Sequence, residues 1–341
     1  MNASAGKLVQ FLEMIFDTLI VGGGPAGLSA ALHLAFHERS VLVLDRRTGP
    51  LPYTLTPLYN VPGFAGARGV DIQRGLEAQA ASAGAILERG SVTAISGEVG
   101  RFAVRLEDGR EYEAKTLLLA TGVARHHPLV NGSYEPWLKY AAKGNTYYCP
   151  DCESPELLGR DIVVIGVGGA NSAISTAGPL LEFASRIRVL LTGGMELKPE
   201  WEQKRIDLGL EVIRGRIGSV EGAKGIVKAL VLENGSRVVA DGYYVDSPKI
   251  PRNDLARQLN LDLGPHGHIK TGWRGQVRVV GAAEGDYLPG VWAAGDVQPQ
   301  TQQISIALGS GNIAAVMIDQ YFQKLSPRRL GLTKHKESIH V

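Results

Sequence analysis

Residues 17–45 read DTLIVGGGPAGLSAALHLAFHERSVLVLD. The apolar run 17–21 has the make-up of a buried strand, and GGGPAG follows it directly. An Ala/Leu-rich stretch over 28–37 reads as a helix, and 40–44 (SVLVL) is a second apolar strand ending in Asp45. Strand, turn, helix and strand within about thirty residues make a β-α-β unit, the smallest dinucleotide-binding module. Gly22, Gly24 and Gly27 form its Gly-x-Gly-x-x-Gly fingerprint. The first glycine permits the tight turn, the second lets backbone approach a pyrophosphate, and the third lets helix and strand pack closely. Pro25 and Ala26 lie between them, where free N–H groups and the helix dipole favour an anion. Asp45 is placed to accept hydrogen bonds from ribose hydroxyls.

The rest of the chain repeats this phrase. Residues 48–66 are rich in Pro, Gly, Tyr and Thr and read as a long functional loop. A helix over 70–83 and strands over 90–96, 101–106 and 111–119 follow. A second β-α-β pattern begins at Asp161, with the strand IVVIG, the turn GVGGAN, a helix over 172–183 and the strand 187–191. The chain closes with a strand over 290–294, a turn at Gly295 and Asp296, and a helix over 303–322. The expected fold is α/β with two Rossmann-like dinucleotide-binding domains. The first is discontinuous, 1–123 and 248–325, and the central one spans 124–247. Residues 326–341 form a polar, basic tail around Arg328, Arg329, Lys334 and Lys336, expected to be disordered or a mobile flap.

Composition narrows the function classes. With 44% hydrophobic and 21% charged residues the 341-residue chain suits a globular protein of roughly two domains. The 43 glycines are nearly twice the ordinary ~7%, which points to tight turns and close backbone approaches to a ligand. A net charge of +2 gives no reason to expect nucleic acid or an anionic membrane as partner. No run reaches the ~18 apolar residues of a membrane span. The apolar lead-in over 8–21 carries Glu13 and Asp17 and lacks a small-residue cleavage site, so it reads as an approach to the first strand. Two cysteines cannot build a secreted disulfide framework, and a cytoplasmic location is expected.

Both cysteines fall in one motif, Cys149-Pro150-Asp151-Cys152. Such a pair closes a small ring that opens and recloses without backbone rearrangement, which suits thiol–disulfide exchange. Zinc would need four ligands, there is no second cysteine pair, and His126 and His127 lack finger spacing, so no metal is expected. Glu153 follows directly and is the candidate general acid, its alternative being an exposed helix-start carboxylate. Asp151 should raise the pKa of a neighbouring thiolate unless something basic lies nearby.

The first fingerprint cannot by itself tell FAD from NAD. The stretches VGGGPAGLSAALHLA (21–35), LLLATG (117–122) and GVWAAGDV (290–297) resemble the FAD signatures of two-dinucleotide-fold flavoproteins. Within that group YNVPGF (59–64), TQQISIALGSGNIAA (301–315) and the place of the cysteines just ahead of the second unit are similar to low-molecular-weight thioredoxin reductases. The likeness covers about residues 16–323. It implies FAD held by the first turn and by Asn60, Thr121, Gly122 and Gly295, with Asp296, Gln303 and Ile304 on the ribityl chain and pyrimidine edge. It implies that Cys152 faces the flavin and Cys149 attacks the disulfide of thioredoxin or another dithiol/disulfide substrate. It also implies a homodimer. Tyr147, Tyr148 and Trp292 are expected to pack around flavin and dithiol.

The second turn departs from that family. Gly166, Gly168 and Gly169 are present, but Asn171 stands where the last glycine of the fingerprint would be. After the strand 187–191 comes TGGME, with no cation for a 2′-phosphate and no acid directly at the strand end for a ribose. A donor other than NADPH is therefore expected, of ferredoxin type or at flavin level, with the basic tail docking an acidic donor protein. The turn itself holds a second FAD, binds NAD(P)H weakly, or is structural. Four readings stay open: a disulfide reductase of this kind, a dithiol oxidase using FAD and oxygen, an NADPH-dependent thioredoxin reductase with an atypical site, and a non-enzymatic flavin redox sensor.

Overall fold

The computed structural model describes residues 14–325; the expected mobile tail and most of the N-terminal lead-in lie outside that span. Strand β1 (Ile15–Val21) runs into helix α1 (Pro25–Phe36) and strand β2 (Val41–Asp45). The helix begins three residues earlier than its Ala/Leu pattern, because Pro25 occupies the first helical position after an N-cap at Gly24, where its fixed φ and missing N–H cost nothing. Helix α2 (Gly69–Ser82), strands β3 (Ile86–Arg89), β4 (Val92–Glu98), β5 (Arg101–Leu106) and β6 (Glu111–Leu119) follow. They form a sheet in the order β3-β2-β1-β6-β5-β4.

The central part starts with strand β7 (Thr146–Tyr147) and the one-turn helix α3 (Pro150–Glu153) that carries Cys152. Strand β8 (Asp161–Gly166), helix α4 (Ala170–Leu180), strand β9 (Arg186–Leu191) and strand β10 (Glu211–Arg214) come next. After a small antiparallel sheet of β11 (Ile217–Ala223), β12 (Ile226–Leu232) and β13 (Arg237–Val238), β14 (Gly242–Asp246) returns to the second parallel sheet. Its order is β7-β14-β8-β9-β10. Strand β15 (Val291–Ala293) then pairs with the end of β6, and helix α5 (Ile304–Leu325) closes the described chain.

The buried strands β2, β8 and β14 read as near-continuous apolar runs because helices or loops cover both faces of their sheets. The chain crosses between the sheets twice, and the crossing segments Val123–Arg125 and Lys249–Pro251 pair antiparallel. Helix α5 packs on α1 so closely that a Cβ at Gly311 would stand 2.1 Å from the Ala26 carbonyl oxygen. That packing brings the segment 295–304 over the first glycine turn. Trp292, expected near the flavin, instead lies in the α1–α5 core, edge-on to Tyr321 at 5.6 Å.

Candidate active site

One cavity of about 1530 Å³ joins the two halves of the molecule. It exceeds the roughly 300–1,000 Å³ of a pocket built for one small ligand, as an extended dinucleotide requires. Gly22, Gly24, Pro25 and Ala26 line it at one end with Asp45, Thr121 and Gly122. Gly295, Asp296, Gln303 and Ile304 line it further along, and Cys149, Cys152 and Glu153 contribute to the same wall. Gly27 is behind the turn, where a Cβ would sit 1.9 Å from the Gly22 carbonyl oxygen, so the close helix–strand contact leaves room for hydrogen alone. Gly22 itself has φ +110°, and a Cβ there would stand 2.2 Å from the Ala120 oxygen.

The first turn offers donors. Gly22 N–H bonds the Leu44 carbonyl, whereas the amides of Gly23 and Gly24 have no backbone partner among the described residues. Asp296 is half-buried, with its Oδ1 enclosed and unpartnered, and burial pushes its pKa up, partly offset by Arg125 and Lys249. An orphaned buried carboxylate oxygen on a cavity wall is an acceptor waiting for hydroxyls, as a ribityl chain would supply. The glycine cradle, Asp45 and this oxygen together fit an FAD-sized group.

Cys149 and Cys152 are joined in a disulfide. Cys152 is 8% exposed and packs in a small apolar cluster with Leu51, Leu58, Val61 and Ile72, all from the first part of the chain. Its Sγ lies 3.7 Å from Asn60 Nδ2 and 3.8 Å from Gln303 Oε1. Asn60 donates to Gln303 Oε1 at 2.6 Å, and Gln303 Nε2 donates to Asp151 at 2.9 Å. Asn60 is thus beside the dithiol, outside the cavity lining. Asp151 also feels Lys249, and Arg125 is close to the same charges, so the basic groups that an acid between two cysteines calls for are present.

Glu153 is buried, 2% exposed, which excludes the exposed helix-start alternative. Oε2 accepts from the amides of Tyr148 (2.8 Å) and Cys149 (3.0 Å), and Oε1 accepts from Thr56 Oγ1 (2.8 Å). Burial pushes its pKa up, while those three donors pull it back. Tyr148 borders the cavity and its hydroxyl meets Trp137 Nε1 and His127 Nδ1. Tyr147 is wholly buried in the central core, away from the cavity.

The family model for pyridine nucleotide-disulphide oxidoreductases matches residues 16–311. The chain belongs to that family. An alkyl hydroperoxide reductase subunit of Pseudomonas aeruginosa is 31% identical over 320 residues, which is 88% of this chain and 57% of the relative. The chain therefore spans a little over half of that relative's length. Thioredoxin reductase of Bacillus subtilis is 26% identical over 324 residues, 92% of this chain and 96% of the relative. The solved thioredoxin reductase of Streptococcus pyogenes has a TM-score of 0.77 at 24% identity over 91% of this chain and 99% of its own, a likeness of fold.

In this member of the pyridine nucleotide-disulphide oxidoreductases the second turn is shifted from its sequence reading. Counted from the strand end, Val167, Gly169 and Ser172 occupy the places of Gly22, Gly24 and Gly27, because β8 runs through Gly166 and α4 starts at Ala170. Gly166 lies inside the strand, and Gly168 faces Asp246 and Pro248. Gly169 is the N-cap of α4, with φ +117°. Asn171 Oδ1 accepts from the Lys198 amide at 3.1 Å. Of this turn only Val167 lines the cavity.

Residues that local reading could not find also line it. Arg252 donates to the Thr48 carbonyl at 3.0 Å, has its Nε buried without a partner, and shares the wall with Asp45. Arg125 and Arg216 come to the wall from segments without a motif, and Gln302 from the 301–315 stretch beside the expected Gln303. A lone Arg–Asn dipeptide at 252–253 gives no hint of a ligand; only the crossing of the chain puts it there. Among the described residues no cluster of His, Cys, Asp and Glu suits a metal, and no helix is long and apolar enough to cross a membrane.

Proposed function

We propose that this chain is an FAD-dependent disulfide oxidoreductase that exchanges electrons between the flavin and Cys149–Cys152, and through Cys149 with an external disulfide or dithiol. The observation that carries the reading is the disulfide's place in the wall of the cavity that the first glycine turn enters. When bound, FAD supplies a two-electron carrier. The Gly24-Pro25-Ala26-Gly27 turn would hold its pyrophosphate, Asp45 a ribose, and Asp296 with Gln303 and Ile304 the ribityl chain and ring edge.

The protein's own groups do the rest. Taking up two electrons and two protons opens the disulfide to two thiols. Cys149, half-buried and the less enclosed of the pair, attacks one sulfur of the external disulfide as thiolate, and the other external sulfur leaves as a thiol. Cys152 then attacks Cys149 Sγ, re-forming the internal bond and releasing the second external thiol. Glu153, one side chain away with a raised pKa, is the proton store for the leaving thiolate. Asp151 is tied to Gln303 and compensated by Lys249 and Arg125, so its charge does not fall wholly on the sulfurs.

We further infer that the electrons do not come from NADPH, since the Val167 and Gly168 amides of the second turn are spent internally and the strand end β9 offers Thr192, Gly193 and Met195 to the cavity. The external partner is a thioredoxin-like protein disulfide, in keeping with the thioredoxin reductases among the relatives, and the donor is of ferredoxin type. The working form is a homodimer, which light scattering measures. Anaerobic titration of the purified protein tests the whole. Dithiothreitol should bleach the visible flavin band within the mixing time of seconds, and one equivalent of NADPH should leave it in place. Bleaching by NADPH overturns the donor reading. A flavin band indifferent to dithiothreitol overturns the exchange itself. Peroxide formed from dithiol in air would turn the direction to that of an oxidase.

A further inference from the structure

The second turn sits beside a carboxylate that the exchange chemistry does not use. Asp246 ends β14 in register with Gly166 of β8 and is 6% exposed. Its main-chain carbonyl accepts the amides of both Val167 and Gly168, each at 3.0 Å. Its Oδ1 accepts from Ser172 Oγ at 3.0 Å and Thr176 Oγ1 at 2.8 Å on α4. Its Oδ2 has no partner among the described residues, and a Cβ on Gly168 would stand 3.3 Å from it.

The first unit differs at the strand end and at one amide, although a carboxylate lies beside its turn too, with Asp45 Oδ2 3.1 Å from where a Cβ on Gly23 would stand. There the equivalent strand end is Leu119, in register with Val21, a buried hydrocarbon. There the amide of Gly23, which corresponds to Gly168, is free of backbone partners among the described residues. A nucleotide pyrophosphate is bound by unspent amides at a helix start with no like charge beneath them. In the second turn the amides of Val167 and Gly168 are spent on Asp246, whose carboxylate lies beneath them, while the Gly169 amide, like that of Gly24, has no backbone partner among the described residues. Burial pushes the Asp246 carboxyl's pKa up, against the hydroxyl donors of Thr176 and Ser172. Those donors solvate the ion and offset part of the cost of its burial.

We propose that Asp246 is a specificity-determining residue that excludes dinucleotide phosphates from the second turn, by spending the Val167 and Gly168 amides and setting a negative charge beneath them. This deepens the pyridine-nucleotide-independent reading above and rests on it. The residue belongs to neither the flavin contacts nor the dithiol.

The test uses the FAD-loaded protein with Asp246→Asn, which keeps the shape and removes the charge, and Asp246→Ser, which also shortens the side chain. Calorimetric titration with NADPH and with ADP-ribose reads the binding directly. The wild type should give no saturable heat. Both variants should gain affinity, by at least about tenfold, for removal of one like charge at close range. Equal affinity of wild type and Asp246→Asn for either probe overturns the proposal. If both variants fail to fold, the wild type decides alone: saturable ADP-ribose binding overturns the proposal, and its absence supports it. Dithiothreitol bleaching of flavin in the same samples is read separately. Its loss counts against the exchange chemistry and leaves the role of Asp246 standing.

Discussion

In the first β-α-β unit the amide of Gly23 borders the cavity without a backbone partner, and in the second its counterpart at Gly168 is bonded to the Asp246 carbonyl, while Gly24 and Gly169 are alike in having none among the described residues. In the first, the third fingerprint position is Gly27, pressed to 1.9 Å of an oxygen if it carried a Cβ; in the second it is Ser172, whose hydroxyl serves Asp246. The frames are the same, parallel strands flanking a helix start. A glycine-rich turn is therefore not in itself a nucleotide site. What the neighbouring strand end presents to it decides whether its donors are available. The first unit leaves the Gly23 amide open to the cavity, whereas the second spends the matching amide on its own fold.

This division of labour can be broken by experiment, most severely at the sulfurs. Cys152→Ser should slow flavin reduction by dithiothreitol by at least ~10³-fold in stopped-flow absorbance, at unchanged flavin content, as for loss of a covalent nucleophile. Cys149→Ser should leave a Cys152 thiolate that perturbs the flavin spectrum. Identical spectra of the two variants would reverse or cancel the roles assigned.

Next in size is a pair of substitutions at matched positions. Gly27→Val should cost more than the ~1–3 kcal/mol of ordinary overpacking, because the carbonyl it meets is backbone, and should abolish flavin retention on gel filtration. Ser172→Gly at the equivalent place should leave the flavin-to-protein absorbance ratio unchanged. Flavin loss in the second variant would mean that the second turn takes part in FAD binding after all.

Smaller again is Ser172→Ala, which deprives the Asp246 carboxylate of one donor. It should lower stability by about 1.5–3 kcal/mol in urea unfolding, the worth of a hydrogen bond to a charged group. An unchanged midpoint would show Thr176 sufficient by itself.

The last effect is one of pH. The folded pKa of Glu153 is raised above its ordinary 4.5, so the fold binds a proton more tightly there than the unfolded chain does. Its contribution is fully present below 4.5 and is lost as pH rises through the folded value. Glu153→Gln removes this dependence, so the variant should gain stability relative to wild type as pH rises through that window, read as the difference between melting curves. A constant difference would indicate that the three donors hold Glu153 ionised throughout.

Much of this is legible in the residues. The run 17–45 gives strand, turn, helix and strand in order, because apolar length and glycine punctuation are local properties, and the CPDC motif announces a dithiol for the same reason. The start of α1 at Pro25 and of α4 at Ala170 is not legible, since apolar periodicity marks a helix interior and not its cap. That uncertainty displaces the second fingerprint by one residue, so that Gly166, Gly168 and Asn171 match places that Val167, Gly169 and Ser172 fill.

By itself the sequence determined the two β-α-β units, the glycines without which the first turn could not close, and the single reducible pair. Only the tertiary structure decided that Asp246 lies under the second turn, that Arg252 reaches the wall that Asp45 lines, and that Cys152 packs among Leu51, Val61 and Ile72. Those pairings join residues about eighty to two hundred positions apart. Strand order and chain crossing set them, and no local pattern of side chains carries that information.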